Sequence, residues 1–331
     1  MSSLIGRVIA FLNRVPWLLP LLSFAAGWLG FVMVQRGESV ARLIALLALL
    51  GWLWLLIEPL VRRRLERRQP RMGKVVANFV SQSLQQELLF FSLPLLIGAT
   101  QLDTGQIIFT VVVGMAALLS TIDPLYERWV ATRAARRLLF HAYCSWIAAL
   151  VVLPMVLLLP LERALPISLA AVAVWLVVTL PLSLYSLRRR MTKVVWVAGV
   201  IFVPLLLWEL RGQVPAAGLA VTEGRITQSL DGLAPGAAVR RLTREELGRG
   251  VIAFAAIRAP AGLAQEVIFE WRHDGERERI VAEIHGGKAD GFRTYTRKAA
   301  FPEHAAGLWT VDVLTPQEQL LKRLQFIVVE G

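Results

Sequence analysis

Two short repeats hold the acids best placed for chemistry in the first half of the chain. Glu58-Pro59-Leu60 and Asp123-Pro124-Leu125 each set a carboxylate beside a proline at the end of an apolar run, and arginines follow both. Two such acids in an apolar bundle would suit a proton- or cation-binding pair. Between them lies 75-VVANFVSQSLQQE-87, where Asn78, Gln82, Gln85 and Gln86 recur at helical spacing. That stripe would either line a polar cavity or mark an interfacial helix leading into a short span. Glu58, Gln82, Gln86 and Asp123 are therefore the candidate polar residues of this half. A plainer reading puts both acids at a headgroup interface, with Glu58 four residues before Arg62, where a carboxylate pairs or snorkels.

His141 and Cys144 stand three apart and share a helical face, the seed of a two-ligand metal or redox site. Cys144 is the only cysteine, and the other histidines, His273, His285 and His304, all lie in the second half. The spacing predicts no disulfide, no metal and no other cofactor. In the second half the most suggestive group is Trp271 with Arg293, Tyr295, Arg297 and Lys298. Aromatic and arginine side chains together suit carbohydrate, anion or protein recognition. No nucleophile elbow and no phosphate-cradling glycine loop is present, so the sequence reads as non-enzymatic.

The elements that must position these residues follow from hydropathy. The chain has 331 residues, 56% of them hydrophobic, and a mean hydropathy of +0.57. Its net charge of +12 is unevenly spread: residues 1–210 carry 20 Lys/Arg against 9 Asp/Glu, and residues 211–331 carry 16 against 15. The excess sits in short segments between apolar runs, which argues for membrane topology and against a nucleic-acid partner. Apolar runs predict about seven transmembrane helices, near 16–34, 41–61, 79–99, 106–126, 138–160, 167–187 and 194–210. In this layout each acid-proline step ends a helix at the cytoplasmic face, and the arginines beyond it meet anionic lipid. The N-terminal segment and residues 62–78, 127–140 and 188–193 hold 17 Lys/Arg, and the alternate segments hold 3. That asymmetry predicts a cytoplasmic N-terminus. An odd number of spans would carry the C-terminal region to the periplasm of a bacterial inner membrane.

Residues 212-GQVPAAG-218 change the composition, so the chain divides into a transmembrane domain (1–210), a linker (211–218) and a β domain (219–331). Period-2 alternation predicts strands at 250–258, 265–273, 278–285, 291–299, 307–314 and 319–330, with a seventh near 217–225. Asp274-Gly275 signals a hairpin. The expected fold is an α-helical membrane bundle followed by an all-β, antiparallel, Ig-like sandwich.

The succession W-R-H-D-G (271–275), G-F-R-T-Y-T-R-K (291–298), G-L-W-T-V-D-V (307–313) and F-I-V-V (326–329) resembles an uncharacterised family of bacterial multi-span membrane proteins. These carry a C-terminal periplasmic β-sandwich module. The resemblance covers about residues 250–330 and implies architecture without an activity. The expected function is a non-enzymatic inner-membrane protein whose β domain binds an envelope protein or a polysaccharide. The alternative is a transporter or channel subunit that uses the polar residues of the bundle, and an intramembrane enzyme ranks behind both.

Overall fold

The computed structural model describes residues 57–64, 70–102, 104–157, 161–186, 190–259, 263–288 and 290–329, with residue 67 and a few isolated positions before residue 57. The expected span at 16–34 lies outside the described residues apart from residue 25, and that at 41–61 is described chiefly from residue 57 onward. Residues 57–64 are helical. There follow α1 (Pro70–Ala99), α2 (Gln106–Thr121), α3 (Asp123–Tyr126), a π-helical turn at Glu127–Ala131, α4 (Ala134–Leu157), α5 (Leu161–Ser186) and α6 (Arg190–Glu209).

The expectation of seven spans is corrected here. Among the described residues two stretches are long and apolar enough to cross a membrane, Ala134–Pro154 and Arg163–Leu180, or three if a bent pair counts as one span. Side-chain chemistry and backbone geometry explain the difference. In α1, Gln82, Gln85, Gln86 and Glu87 interrupt the apolar run. Helix α2 has 16 residues, and beyond it the chain turns by 101° into Asp123–Ala131. In α6, Arg190, Lys193 and Glu209 confine the uncharged run to residues 194–208. The prolines of the two repeats also behave differently. Pro124 opens α3 at the break, whereas the helix continues through Pro59.

By compactness the chain forms two units. One comprises residues 1–95, 111–157 and 166–205, and the other comprises 96–110, 158–165 and 206–331. The second unit holds β1 (Ala220–Thr227), β2 (Leu230–Asp231), β3 (Ala234–Pro235), β4 (Arg241–Thr243), a short helix α7 (Arg244–Leu247), β5 (Val251–Arg258), β6 (Ala264–His273), β7 (Glu276–His285), β8 (Phe292–Lys298), β9 (Gly307–Leu314) and β10 (Leu320–Val329). Its strands form an antiparallel sheet in the order β1-β5-β8, a five-stranded sheet in the order β4-β10-β9-β6-β7, and the β2-β3 pair.

The five-stranded sheet is mixed, because β4 runs parallel to β10. This overturns the all-antiparallel, Ig-like expectation. β4 has three residues, too few for alternation to reveal a strand, and its partner lies far along the chain. Both larger sheets bury one face in a common core. Val251, Ala253, Ala255 and Ile257 come from β5, Val267, Phe269 and Trp271 from β6, and Trp309, Val311 and Val313 from β9. The hairpin at Asp274 and Gly275 has φ of 44° and 85°, the left-handed pair a tight two-residue turn needs, and it aligns β6 with β7 from His273↔Glu276 to Ala264↔His285.

Residues 211–218 are packed into this unit. Val214, Ala216 and Ala217 are buried, and Ala216 joins the core. Gln319 Nε2 donates to the Val214 carbonyl at 3.1 Å, and Gln106 Nε2 donates to the Leu320 carbonyl at 2.7 Å.

Candidate functional site: an arginine-lined cleft

Strand register sets the chemistry of the outer face of the five-stranded sheet. Successive side chains on a strand alternate faces, so directly paired residues line up across neighbouring strands. The pairs Arg279↔Glu270, Glu270↔Asp312 and Asp312↔Arg323 make one transverse row through β7, β6, β9 and β10. The adjacent row on this face begins Arg277↔Arg272↔Thr310. Two carboxylates therefore stand opposite each other, which is unfavourable without counter-charge.

The arginines supply that counter-charge. Arg323 donates to both Asp312 oxygens, at 2.7 and 2.8 Å. Arg279 Nε donates to Glu270 at 2.6 Å, and its Nη2 donates to Glu318 at 2.9 Å. Arg272 lies over both acids, paired with Asp312 and 3.5 Å from Glu270. Glu270 and Asp312 are each only 3% exposed. Hydrogen bonding from Arg279, with a further contribution from Arg211, lowers the Glu318 pKa against the opposing effect of burial.

These side chains line a cleft of about 560 Å³ with Thr104, Gly105, Gly212 and Gln213 on another side. A second recess of about 340 Å³ runs toward the Asp274-Gly275 turn and shares Arg272, Arg277 and Arg323 with the first. Cationic charge exceeds what the acids consume. Arg277 is exposed and makes no side-chain ion pair within the described residues. Partial burial and then the like charge of Arg323 lower the Arg272 pKa; Glu270 opposes them, and Arg277 adds to the lowering. Three guanidiniums thus converge on an open, solvent-filled cleft, a geometry suited to carboxylate or phosphate oxygens.

The residues read from sequence fall elsewhere. Trp271 is core, 1% exposed, with its indole N–H donating to Thr296 Oγ1 at 3.2 Å, and this corrects its expected place on a binding surface. Arg293, Tyr295 and Arg297 share the outward face of β8 on the other sheet. Lys298 points the opposite way, with its ammonium over Phe301 and Trp309 and paired to Glu278. The five do not converge. His273 stacks on Trp309 with ring centroids 4.4 Å apart, and its two nitrogens face the Leu308 and His304 carbonyls. His285 packs edge-on against Phe292. Among the described residues no group of three or more His, Cys, Asp or Glu is arranged to hold a metal ion.

In the helical unit the Glu58 side chain is 3% exposed and paired with Arg62, itself buried. Arg62 Nη1 donates to Asn78 Oδ1 at 2.8 Å. Asp123 is exposed and separately bound. Gln82 Nε2 donates to its carboxylate at 2.7 Å and to the Ser120 carbonyl, freed by the helix break, at 3.0 Å. Glu58 and Asp123 therefore do not form a pair. Gln86 is buried, and its Nε2 lacks a hydrogen-bond partner within the described residues. His141, expected to accompany Cys144, instead joins the Glu58 network. Its Nδ1 meets Gln85 Nε2 at 2.7 Å, and its Nε2 lies 3.9 Å from Glu58.

A family model described as a family of unknown function, DUF5924, matches residues 1–253. The chain belongs to the DUF5924 family. A second model, a protein of unknown function, DUF2914, matches residues 264–328. No curated protein and no solved structure matches the chain. The buried Glu58 network lies wholly within the DUF5924 match. All the ladder arginines of β6, β7 and β10 lie within the DUF2914 match. The DUF5924 match ends within β5 and the DUF2914 match begins at β6, and both contribute to one hydrophobic core; the DUF2914 segment supplies the charged side chains of the cleft, and the DUF5924 segment its Thr104, Gly105, Gly212 and Gln213 side.

Proposed function

We propose that the chain is a non-enzymatic, membrane-anchored binding protein whose β domain takes an anionic group of an envelope polysaccharide or protein in the arginine cleft. One observation carries this reading: Arg277, with no ion pair among the described residues, stands beside Arg272 and Arg323 at the junction of the two recesses. A sheet face built only for stability would leave no such surplus, because like charges side by side are unfavourable. Membrane anchorage is supported by the two apolar helices. Residues 211–331 carry no basic excess, which fits the β domain on the periplasmic side of a bacterial inner membrane.

The test is binding by the full-length protein in detergent micelles. Polygalacturonate serves as the anionic probe and dextran as the neutral one. Binding of polygalacturonate that weakens with salt, without dextran binding, supports the proposal. Equal affinity for both probes contradicts it.

A further inference from the structure

The arginine cleft has a second wall of a different kind. One wall is the charged outer face of the five-stranded sheet, and the other is made by Thr104, Gly105, Gly212 and Gln213. Both walls belong to the same compact unit, which takes in residues 96–110 as well as the strands. Gln106, wholly buried, ties the second wall together. Its Oε1 accepts from the Gln101 N–H at 3.0 Å, and its Nε2 donates to the carbonyls of Gly212 at 3.3 Å and Leu320 at 2.7 Å. The Thr104 hydroxyl donates to the Gln101 carbonyl at 2.8 Å and so holds the turn into α2. A buried amide with three backbone partners fixes the chain on either side of it, because each of those bonds is costly to lose away from water.

Gln213 is the exposed member of this wall. Its side chain lies against Gly105, where a β-carbon would stand 2.9 Å from both the Gln213 amide carbon and its Oε1. Glycine therefore makes the seat for the amide. Among the described residues that amide makes no side-chain hydrogen bond, so its donor and acceptor are both available to the cleft.

We propose that Gln213 reads ligand hydroxyls and that the cleft thereby selects an acidic polysaccharide over an acidic protein segment, an inference that rests on the anion-binding reading of the arginines. A hydroxyl needs both a donor and an acceptor when it leaves water. Guanidiniums only donate, and Glu270 and Asp312 are held by Arg279 and Arg323. A neutral amide supplies both functions. A uronic acid carries its carboxylate and its hydroxyls on one rigid ring, so a single ring can meet both walls. An acidic peptide sets its carboxylates at the ends of flexible side chains and must freeze those rotors to make the same two contacts. The cleft, at about 560 Å³, lies within the range that ring-sized ligands fill.

The test compares two polyanions on the full-length protein in detergent micelles. Polygalacturonate carries a hydroxylated ring at every carboxylate, and poly-L-glutamate carries none. The unaltered protein should bind polygalacturonate the more tightly. Gln213→Ala removes no charge; it should weaken polygalacturonate about fivefold, the worth of one hydrogen bond, and leave polyglutamate within twofold. Gly105→Ala keeps the amide but drives it off its seat, and should narrow the preference in the same way. The Gly105 backbone lies outside the left-handed region, so alanine is not strained there. Arg277→Gln, which removes charge, should weaken both probes. Equal losses of both probes in Gln213→Ala, or polyglutamate bound as tightly as polygalacturonate by the unaltered protein, would overturn the role of Gln213 and leave the anion site standing. Binding of neither probe would overturn the anion site and this inference with it.

Discussion

The buried Glu58 network and the arginine cleft use the same chemical parts to opposite ends. In the helical unit one guanidinium meets one carboxylate, on the sheet three meet two, and all three acids are almost wholly buried. In the helical unit the Glu58 carboxylate, the Gln85 amide and the Tyr126 hydroxyl find partners within one cluster of buried side chains. On the β sheet the row from Arg279 to Arg323 is also internally paired, but the neighbouring Arg277 has no ion pair among the described residues and opens on about 560 Å³ of space. The difference is one uncompensated cation and the volume beside it. Compensated charge is buried in the one, and surplus charge faces open space in the other, which is what the proposed binding site uses.

The largest expected effect breaks the helical member of the pair. Glu58→Ala takes the carboxylate away from the buried Arg62 guanidinium, and removing one partner of a buried ion pair costs about 3–5 kcal/mol. Denaturation of the full-length protein should show that loss. A change near zero would mean that the network is wetter than its burial indicates.

The next effect falls on the cleft. Arg272→Ala removes the cation shared by Glu270 and Asp312, but Arg279 and Arg323 each keep hold of one of them. About 1–3 kcal/mol of stability should be lost, together with ligand binding. A loss as large as that of Glu58→Ala would erase the distinction between the two sites.

A smaller effect concerns pH. The Glu318 pKa is lowered in the folded state, principally by its hydrogen bond from Arg279. Its contribution to stability is therefore complete above the unfolded carboxylate value and disappears as pH falls through the lower, folded one. Glu318→Gln should flatten the acid limb of the stability profile below about pH 4.5. An unchanged acid limb would show that solvent screens the pair.

Parts of both sites were readable before the fold was known. Alternation placed Glu270 and Arg272 on one face of β6 and Thr310 and Asp312 on one face of β9, which is where they lie. The transverse row was not readable, because it depends on which strands are neighbours, and β6 pairs with β9 across β7 and β8 in sequence. Arg277 and Arg279 looked like ordinary solvated charges for the same reason. The four-residue step from Glu58 to Arg62 announced their pairing. Its burial did not show, since Asn78 and His141 come from other helices. Counting apolar residues counted a straight span at 106–126 because hydropathy does not register the bend beyond Thr121.

The central claim is that surplus positive charge on the five-stranded sheet, rather than basic charge in general, binds the ligand. Its most direct test compares the polygalacturonate affinity of Arg277→Gln with that of Arg293→Gln, each in the full-length protein. Both residues are exposed, so either change should alter stability by no more than about 0.5 kcal/mol. Arg277→Gln should weaken binding at least tenfold, about 1.4 kcal/mol, and Arg293→Gln should leave it within twofold. Equal losses in the two variants, or none in Arg277→Gln, would contradict the account.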